Sequence, residues 1–410
     1  MGAPGTDMQM SDASYTMIYH WNEQEGWLKL SNTKLTPFYG YAFTQSKKAQ
    51  EATFEISAKP IIPTVPQEIS LTCTPAGMGG SNVFVNSFLA PIDLNKFENE
   101  DFVGNVDKAF YLFNSGSWNQ WQQNGGSSNT MQYGVSPGQY YALSPYGSSL
   151  MDPTYDQTTI PPMQGVYVIA RENGAKINLD YTKHVYNADA SNKAMRAPQH
   201  QDDFKRIRLY VYGANSGADR MYLIQHDQCT SGYDNGYDAI NMPTEGQVSI
   251  YSNEAAGQME ISITDRIDSS YIGFRAGMDS EYVLRMTSVL GEQLYLYDLQ
   301  ENTVVPIVDG TEYAFTATPN SVNDRRFLVT DKTSKSDVSD TEDVDVYIYD
   351  KKAYVKQAPL NSVMTVYTIG GLSMASYSVG NTPCVVDLSI LPVGVYVLKV
   401  ANKAYKFVCE

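Results

Sequence analysis

The chain closes on Leu391-Pro392-Val393-Gly394-Val395-Tyr396-Val397-Leu398-Lys399-Val400, followed by Ala401-Asn402-Lys403-Ala404-Tyr405-Lys406-Phe407-Val408-Cys409. Two β-rich runs flank Asn402-Lys403, and Asn is a residue that takes the left-handed position of a tight hairpin turn. Pairing across that turn predicts Tyr396 opposite Cys409, Leu398 opposite Phe407 and Val400 opposite Tyr405, which makes one wholly apolar face. The other face carries Val397 opposite Val408 and Lys399 opposite Lys406, a like-charge pair that belongs in solvent. The stretch therefore reads as a half-buried hairpin, and it sets the expectation of a chain built from strands.

Working outward, the final hairpin is preceded by Val363-Met364-Thr365-Val366-Tyr367-Thr368-Ile369-Gly370-Gly371 and by Val386-Asp387-Leu388-Ser389-Ile390 running into Leu391. In this order, and ending on a basic strand, residues 344–410 resemble the C-terminal sorting domain of cargo exported by the Bacteroidota type IX secretion system. The resemblance implies a small immunoglobulin-like β-sandwich that is read by export and anchoring machinery of the outer membrane and is often removed at the cell surface. It also implies that Gly394, Tyr396, Lys399, Lys403 and Lys406 carry the sorting signal. The expected location is then secreted, or on the outer surface of a Gram-negative bacterium.

Composition agrees with an all-β reading. Of 410 residues, 42% are apolar and only 18% charged, which suits a globular chain rather than a disordered one. Tyr is abundant at 31, with Gly 30 and Pro 19, a profile of β-sandwiches and barrels. The net charge of −16, with no local Lys/Arg cluster, argues against binding a nucleic-acid backbone. No run is long and apolar enough for a transmembrane helix, and Met1-Gly2-Ala3-Pro4 opens no secretory signal. For an exported protein this points to a piece of a longer chain.

An internal repeat organises the first half. Tyr19-His20-Trp21-Asn22 with Gly26-Trp27 recurs as Tyr111-Leu112-Phe113-Asn114 with Ser117-Trp118. Pro37-Phe38-Tyr39-Gly40-Tyr41-Ala42-Phe43 recurs as Pro162-Met163-Gln164-Gly165-Val166-Tyr167-Val168, and Ala52-Thr53-Phe54-Glu55-Ile56 as Ala175-Lys176-Ile177-Asn178-Leu179. The second copy has an additional front part, from Ile69 to Asp107, and a Gly/Ser/Asn-rich insertion between Trp121 and Ile160. The expected organisation is tandem β-sandwich domains, jelly-roll or immunoglobulin-like. Residues 1–60 form a partial repeat unit whose front half is missing, 61–195 a sandwich repeat unit and 196–330 a third sandwich with strands at close spacing. Residues 331–343 are an acidic linker and 344–410 the terminal domain.

Few constellations suggest chemistry. Gly134-Val135-Ser136-Pro137-Gly138 has the letters of a nucleophile elbow, but Pro137 lacks the N–H an oxyanion hole needs and no helix follows. The four histidines show no metal spacing, and His184 and His200 are expected in solvent beside a polar linker. Asp234 and Asp238 around Gly236 form a weak Ca²⁺ candidate against a plain Asx turn. Cys384 and Cys409 are a candidate disulfide within the last domain, with two buried thiols as the alternative; no C-x-x-C pair suggests zinc. Trp121, Tyr140, Tyr141 and Tyr146, in or beside the long insertion, are candidates for contacting a glycan or a host or surface protein. Trp118, like Trp27, is expected in the core of the repeated hairpin.

The sequence thus describes a non-catalytic region of a secreted or cell-surface bacterial protein, without a cofactor, serving export and anchoring and adhesion or ligand binding. The alternative is the accessory tail of a large surface protease or glycanase whose catalytic domain lies upstream. A free-standing carbohydrate-binding protein is a third reading.

Overall fold

The computed structural model describes residues 8–10, 16–31, 34–45, 54–56, 62–116, 135–152, 158–186, 204–332, 344–349, 351–358, 362–379, 383–401 and 403–409. It is all-β with several sheets. Its described residues fall into two compact units. The first takes residues up to 116, 135–186 and the loop Asn235–Ala239; the second takes 204–234 and 240–409.

In the first unit, the Val106–Phe113 strand lies between Tyr140–Leu143 and Gly165–Ala170, and Ser81–Val85 extends that sheet beyond Gly165–Ala170. The earlier copy of the repeat has the same arrangement, with Thr16–Asn22 between Gly26–Lys29 and Tyr41–Gln45. The correspondence reaches single backbone angles. Both copies make a turn with proline in second place, closed by Tyr39 N donating to Thr36 O and by Gln164 N donating to Pro161 O. The third residues, Phe38 and Met163, stand at φ 60° and 64°, a conformation that usually asks for glycine.

Their side chains are exchanged between the copies. Phe38 packs against the larger core, with its ring edge-on to Phe88 at 5.3 Å, whereas Met163 packs on the small cluster of Ile18, Leu35 and Tyr41. Each copy thus fills the core of the other, which offsets the strain of two left-handed non-glycine residues. Two residues on, a Cβ at Gly40 would lie 2.5 Å from Val83, so only glycine lets the first copy approach the Ser81–Val85 strand.

The second unit begins with one long sheet. Its strands run in the order Thr303–Pro306, Tyr295–Asp298, Val322–Thr330, Tyr271–Arg275, Ser249–Glu254, Gly257–Thr264, Ala218–Gln225, Lys205–Gly213, Glu281–Val289 and Glu312–Thr316. It wraps one core, in which Phe315 from one end meets Phe274 and Phe327 from the middle at 4.9 and 5.3 Å. Two arginines are buried with their partners: Arg220 with Glu260 and Arg326 with Asp298, each at 2.8 Å.

Residues 344–409 form a separate sandwich of two sheets on a shared core. One sheet holds Asp345–Tyr349, Lys352–Gln357 and Cys384–Asp387; the other holds Ser373–Val379, Ser362–Thr368, Gly394–Val400 and Lys403–Cys409. The closing hairpin forms with Tyr396, Leu398 and Val400 inward, as its pattern predicts, but its register differs. Tyr396 faces Phe407, Leu398 faces Tyr405 and Val400 faces Lys403, so the turn starts one residue earlier, with Ala401 at φ 47°. Lys399 consequently faces Ala404 and Lys406 faces Val397, which removes the expected like-charge pair. The candidate disulfide is also corrected: Cys384 and Cys409 lie in different sheets and both are free, with the Cys409 thiol directed at Leu391 O, 3.5 Å away.

Candidate functional sites

The aromatic set expected to form one ligand surface is not brought together. Tyr140 and Tyr141 are consecutive on a strand and therefore point to opposite faces. Tyr141 is buried in the core, while Tyr140 sits between Phe113 at 5.0 Å and Tyr167 at 5.8 Å, where burial pushes its hydroxyl up. Tyr146 lies elsewhere, donating to Asn99 Oδ1 at 2.9 Å with its ring edge-on to Tyr237 at 5.7 Å. Burial, followed by the nearby Asp101 and Glu100 carboxylates, pushes its hydroxyl up to about 12. Trp121 and Trp118 lie outside the described residues.

A different aromatic surface appears around the first copy of the repeat. Trp27, expected in the core, is 41% exposed and stands edge-on to Trp21 at 5.2 Å. Trp21 donates its indole N–H to Ser81 O at 2.6 Å, and its ring reaches Tyr167 at 6.3 Å. Beside it opens a groove of about 500 Å³ whose lining includes Trp21, Asn22, Tyr39, Ser70 and Thr74. This is the size of a small-ligand cleft, with aromatic and polar groups side by side.

Glu23 holds the groove together. Its carboxylate, 5% exposed, accepts from Thr74 N at 3.2 Å, Thr74 Oγ1 at 2.7 Å and Gly80 N at 3.0 Å, and Met78 N donates to Glu23 O at 2.7 Å. Nothing local in the sequence marks Glu23, because its partners lie 51 and 57 residues away.

The histidine expectation is corrected at His184, which is fully buried rather than solvated. The single helical turn Tyr181–His184, capped by Asp180, places its Nε2 3.2 Å from Asp101 and Lys183 Nζ 2.8 Å from the same carboxylate. Burial alone would raise Asp101, but hydrogen bonds from Lys183, the Glu98 backbone and His184 outweigh it and hold the carboxyl below its ordinary value. Asp234 spends its carboxylate on Thr230, whose N donates at 2.6 Å, and Asp238 is buried. Among the described residues, no group of three or more His, Cys, Asp or Glu is placed to hold a metal ion. Among the same residues, no helix is long and apolar enough to cross a membrane.

In the last sandwich the residues singled out for sorting divide between two places. Tyr396 folds back so that its hydroxyl donates to Pro392 O at 2.9 Å, and a Cβ at Gly394 would lie 3.3 Å from its ring. The Gly-x-Tyr spacing thus fixes the loop before the Gly394–Val400 strand. Lys399 and Lys403 lie toward the opposite, turn end of the hairpin, and Lys406 sits midway.

No solved structure matches the chain. The minor fimbrium subunit Mfa5 of Porphyromonas gingivalis is 27% identical to it over 302 residues, 70% of this chain and 24% of the relative. The chain therefore spans about a quarter of the length of that relative. A family model described as a domain of unknown function, DUF8693, matches residues 5–330. That match runs through the repeat and the long curled sheet and stops before the last sandwich, so the chain belongs to the DUF8693 family.

Proposed function

We propose that this chain is a non-catalytic segment of a bacterial cell-surface protein of the fimbrial kind, with residues 344–410 as its export and anchoring module. The observation that carries the reading is the division of the chain. Residues 5–330 belong to one family, while residues 344–409 form a sandwich with its own core outside that match. The fimbrial relative supports a surface role for the larger part, and the ordered blocks of residues 344–410 support export for the smaller one. Adhesion or ligand binding falls to the family-matched part, where the groove beside Trp21 offers the surface.

The test uses the full chain behind a leader and a reporter in a type IX-competent host, with and without residues 344–410. The reporter is expected at the cell surface only when those residues are present. A reporter that remains periplasmic with the full chain refutes the export role. Surface exposure without residues 344–410 assigns export to another part of the protein.

A further inference from the structure

The strand Gln67–Ser70 lies at the edge of a three-stranded sheet, in the order Phe102–Val103, Lys176–Leu179, Gln67–Ser70. Ile69 faces Ile177 in that sheet, and the ladder runs on as Leu71 N donates to Ala175 O at 2.8 Å. In an antiparallel pair, residues that bond to the partner strand alternate with residues whose N–H and C=O point the other way. Gln67, Ile69 and Leu71 therefore bond into the sheet, whereas Glu68, Ser70 and Thr72 turn their main-chain groups toward the open edge.

Side chains answer part of that edge. Thr72 N donates to Asn82 Oδ1 at 2.9 Å, and Asn82 Nδ2 donates back to Thr72 O at 2.8 Å. One carboxamide thus makes both bonds that a neighbouring strand would make. Two residues further, Thr74 N donates to Glu23 Oε2 at 3.2 Å. Two residues back, the series stops. Among the described residues, no strand or main-chain group pairs with the N–H and C=O of Ser70 or Glu68 on this side.

These open positions face the groove beside Trp21. All of residues 68–72 line it, although Ile69 and Leu71 are buried while Glu68, Ser70 and Thr72 are exposed. Residues of both parities share the lining only where a strand presents its edge rather than one face. Trp21, Phe38 and Tyr39 of the first repeat copy supply aromatic lining, and Tyr39 is 49% exposed.

The edge selects the occupant. Unpaired N–H and C=O groups on alternate residues, about 6.8 Å apart, are the complement of another main chain in extended conformation. A sugar, whose hydroxyls sit around a ring, does not reproduce that row. A groove of about 500 Å³ admits one extended segment rather than the edge of another folded sheet. We infer that the groove binds an extended peptide, which adds as a strand along Ser70 and Glu68 and lays alternate side chains against Trp21, Phe38 and Tyr39. The inference rests on the ligand-binding reading of this groove and names the chemistry of its ligand.

The test is selection of a phage-displayed library of random linear heptapeptides on the immobilised full chain, followed by titration of the selected peptides in synthetic form. Saturating peptide should slow hydrogen exchange at the Ser70 and Glu68 amides by roughly tenfold or more. The Ser70 N–H takes no part in the ladder to Lys176–Leu179, so proline is compatible with this edge. Ser70→Pro should nevertheless weaken peptide binding by roughly tenfold, through the lost donor and the ring in its place. Tyr39→Ala should weaken it too, whereas Val289→Ser, exposed in the second unit, should leave it unchanged. Amide exchange reads the edge in the parent chain, so the test stands even where Ser70→Pro folds poorly. Peptides that bind without slowing those amides, or that bind a folded Ser70→Pro as tightly as the parent, overturn strand addition. Binding of cello-, chito- or malto-oligosaccharides that Tyr39→Ala abolishes, with no peptide selected, keeps the groove as a ligand site and overturns the peptide. Binding of neither class overturns both this inference and the ligand reading of the groove.

Discussion

Replacing Glu23 with alanine removes an acceptor of three hydrogen bonds that join the first repeat copy to the front part of the second. Hydrogen bonds to a charged group contribute about 1.5–3 kcal/mol each, and they are not additive. Thr74 can turn its hydroxyl to water, because its surroundings are part-buried, but the Gly80 N–H is buried and would be orphaned. The net cost should be about 4 kcal/mol, most of it from that orphaned donor and the loss of a charged acceptor. For a unit of this size that corresponds to a fall of roughly 8–16 °C in the thermal midpoint. Glu23→Gln keeps one acceptor oxygen but turns an NH₂ toward a donor, and it should cost about 2–3 kcal/mol.

Urea unfolding followed by tryptophan fluorescence would read the effect, since Trp21 and Trp27 lie in the same hairpin. Thr74→Val combined with Glu23→Ala should cost less than the two variants separately, because they remove one shared interaction. A loss below about 1 kcal/mol for Glu23→Ala would mean that the clasp does not hold the groove together.

Four further outcomes follow from the same structure. At the left-handed turn, Phe38→Gly should be more stable than Phe38→Ala by roughly 1 kcal/mol, the reverse of most positions, and an alanine variant equal to glycine in denaturation would remove the strain argument. Glu260→Ala should cost about 3–5 kcal/mol by removing the carboxylate that pairs with buried Arg220, whereas replacing both residues with apolar ones should cost far less; equal losses would assign the effect to packing. Because Asp101 is held below the unfolded value of 3.8, its contribution is complete above that pH and is lost as pH falls through the lower folded value. Thermal scans should therefore show Asp101→Asn with a flatter acid limb below about pH 4, and an unchanged limb would refute the assignment. Finally, a reductant should leave the thermal midpoint unmoved, since the four cysteines are free; a downward shift would reveal a bridge.

Much of the strand pattern was legible because alternation of apolar and polar residues reports directly on which face is buried. The close succession of strands expected before residue 330 is present, whereas Thr303–Pro306 and Ala239–Ile240 are too short or too mixed in pattern to show a period. The repeat was legible too, but its two proline turns with non-glycine residues in left-handed geometry were found only in the structure. The aromatic site was not. Tyr140 and Tyr141 are near in sequence but face opposite ways, whereas Trp21, Tyr39 and Ser70 are far apart in sequence and share one groove. His184 read as a linker residue, and it is buried because a carboxylate eighty-three residues earlier receives it.

The closing hairpin separates the two kinds of information. Its sequence by itself determined that Tyr396, Leu398 and Val400 face inward, and with them the side on which Phe407 and Cys409 lie. It could not determine the partners, because sliding one strand by two residues leaves every side chain on the same face. Only the assembled sandwich chose the register, by seating Gly394 opposite Cys409 and folding Tyr396 onto Pro392. That choice brought Val408 alongside Val395 and left Lys399 opposite Ala404. A local period selects a face, whereas long-range packing selects the neighbour, because only the folded chain brings distant segments into competition for the same core.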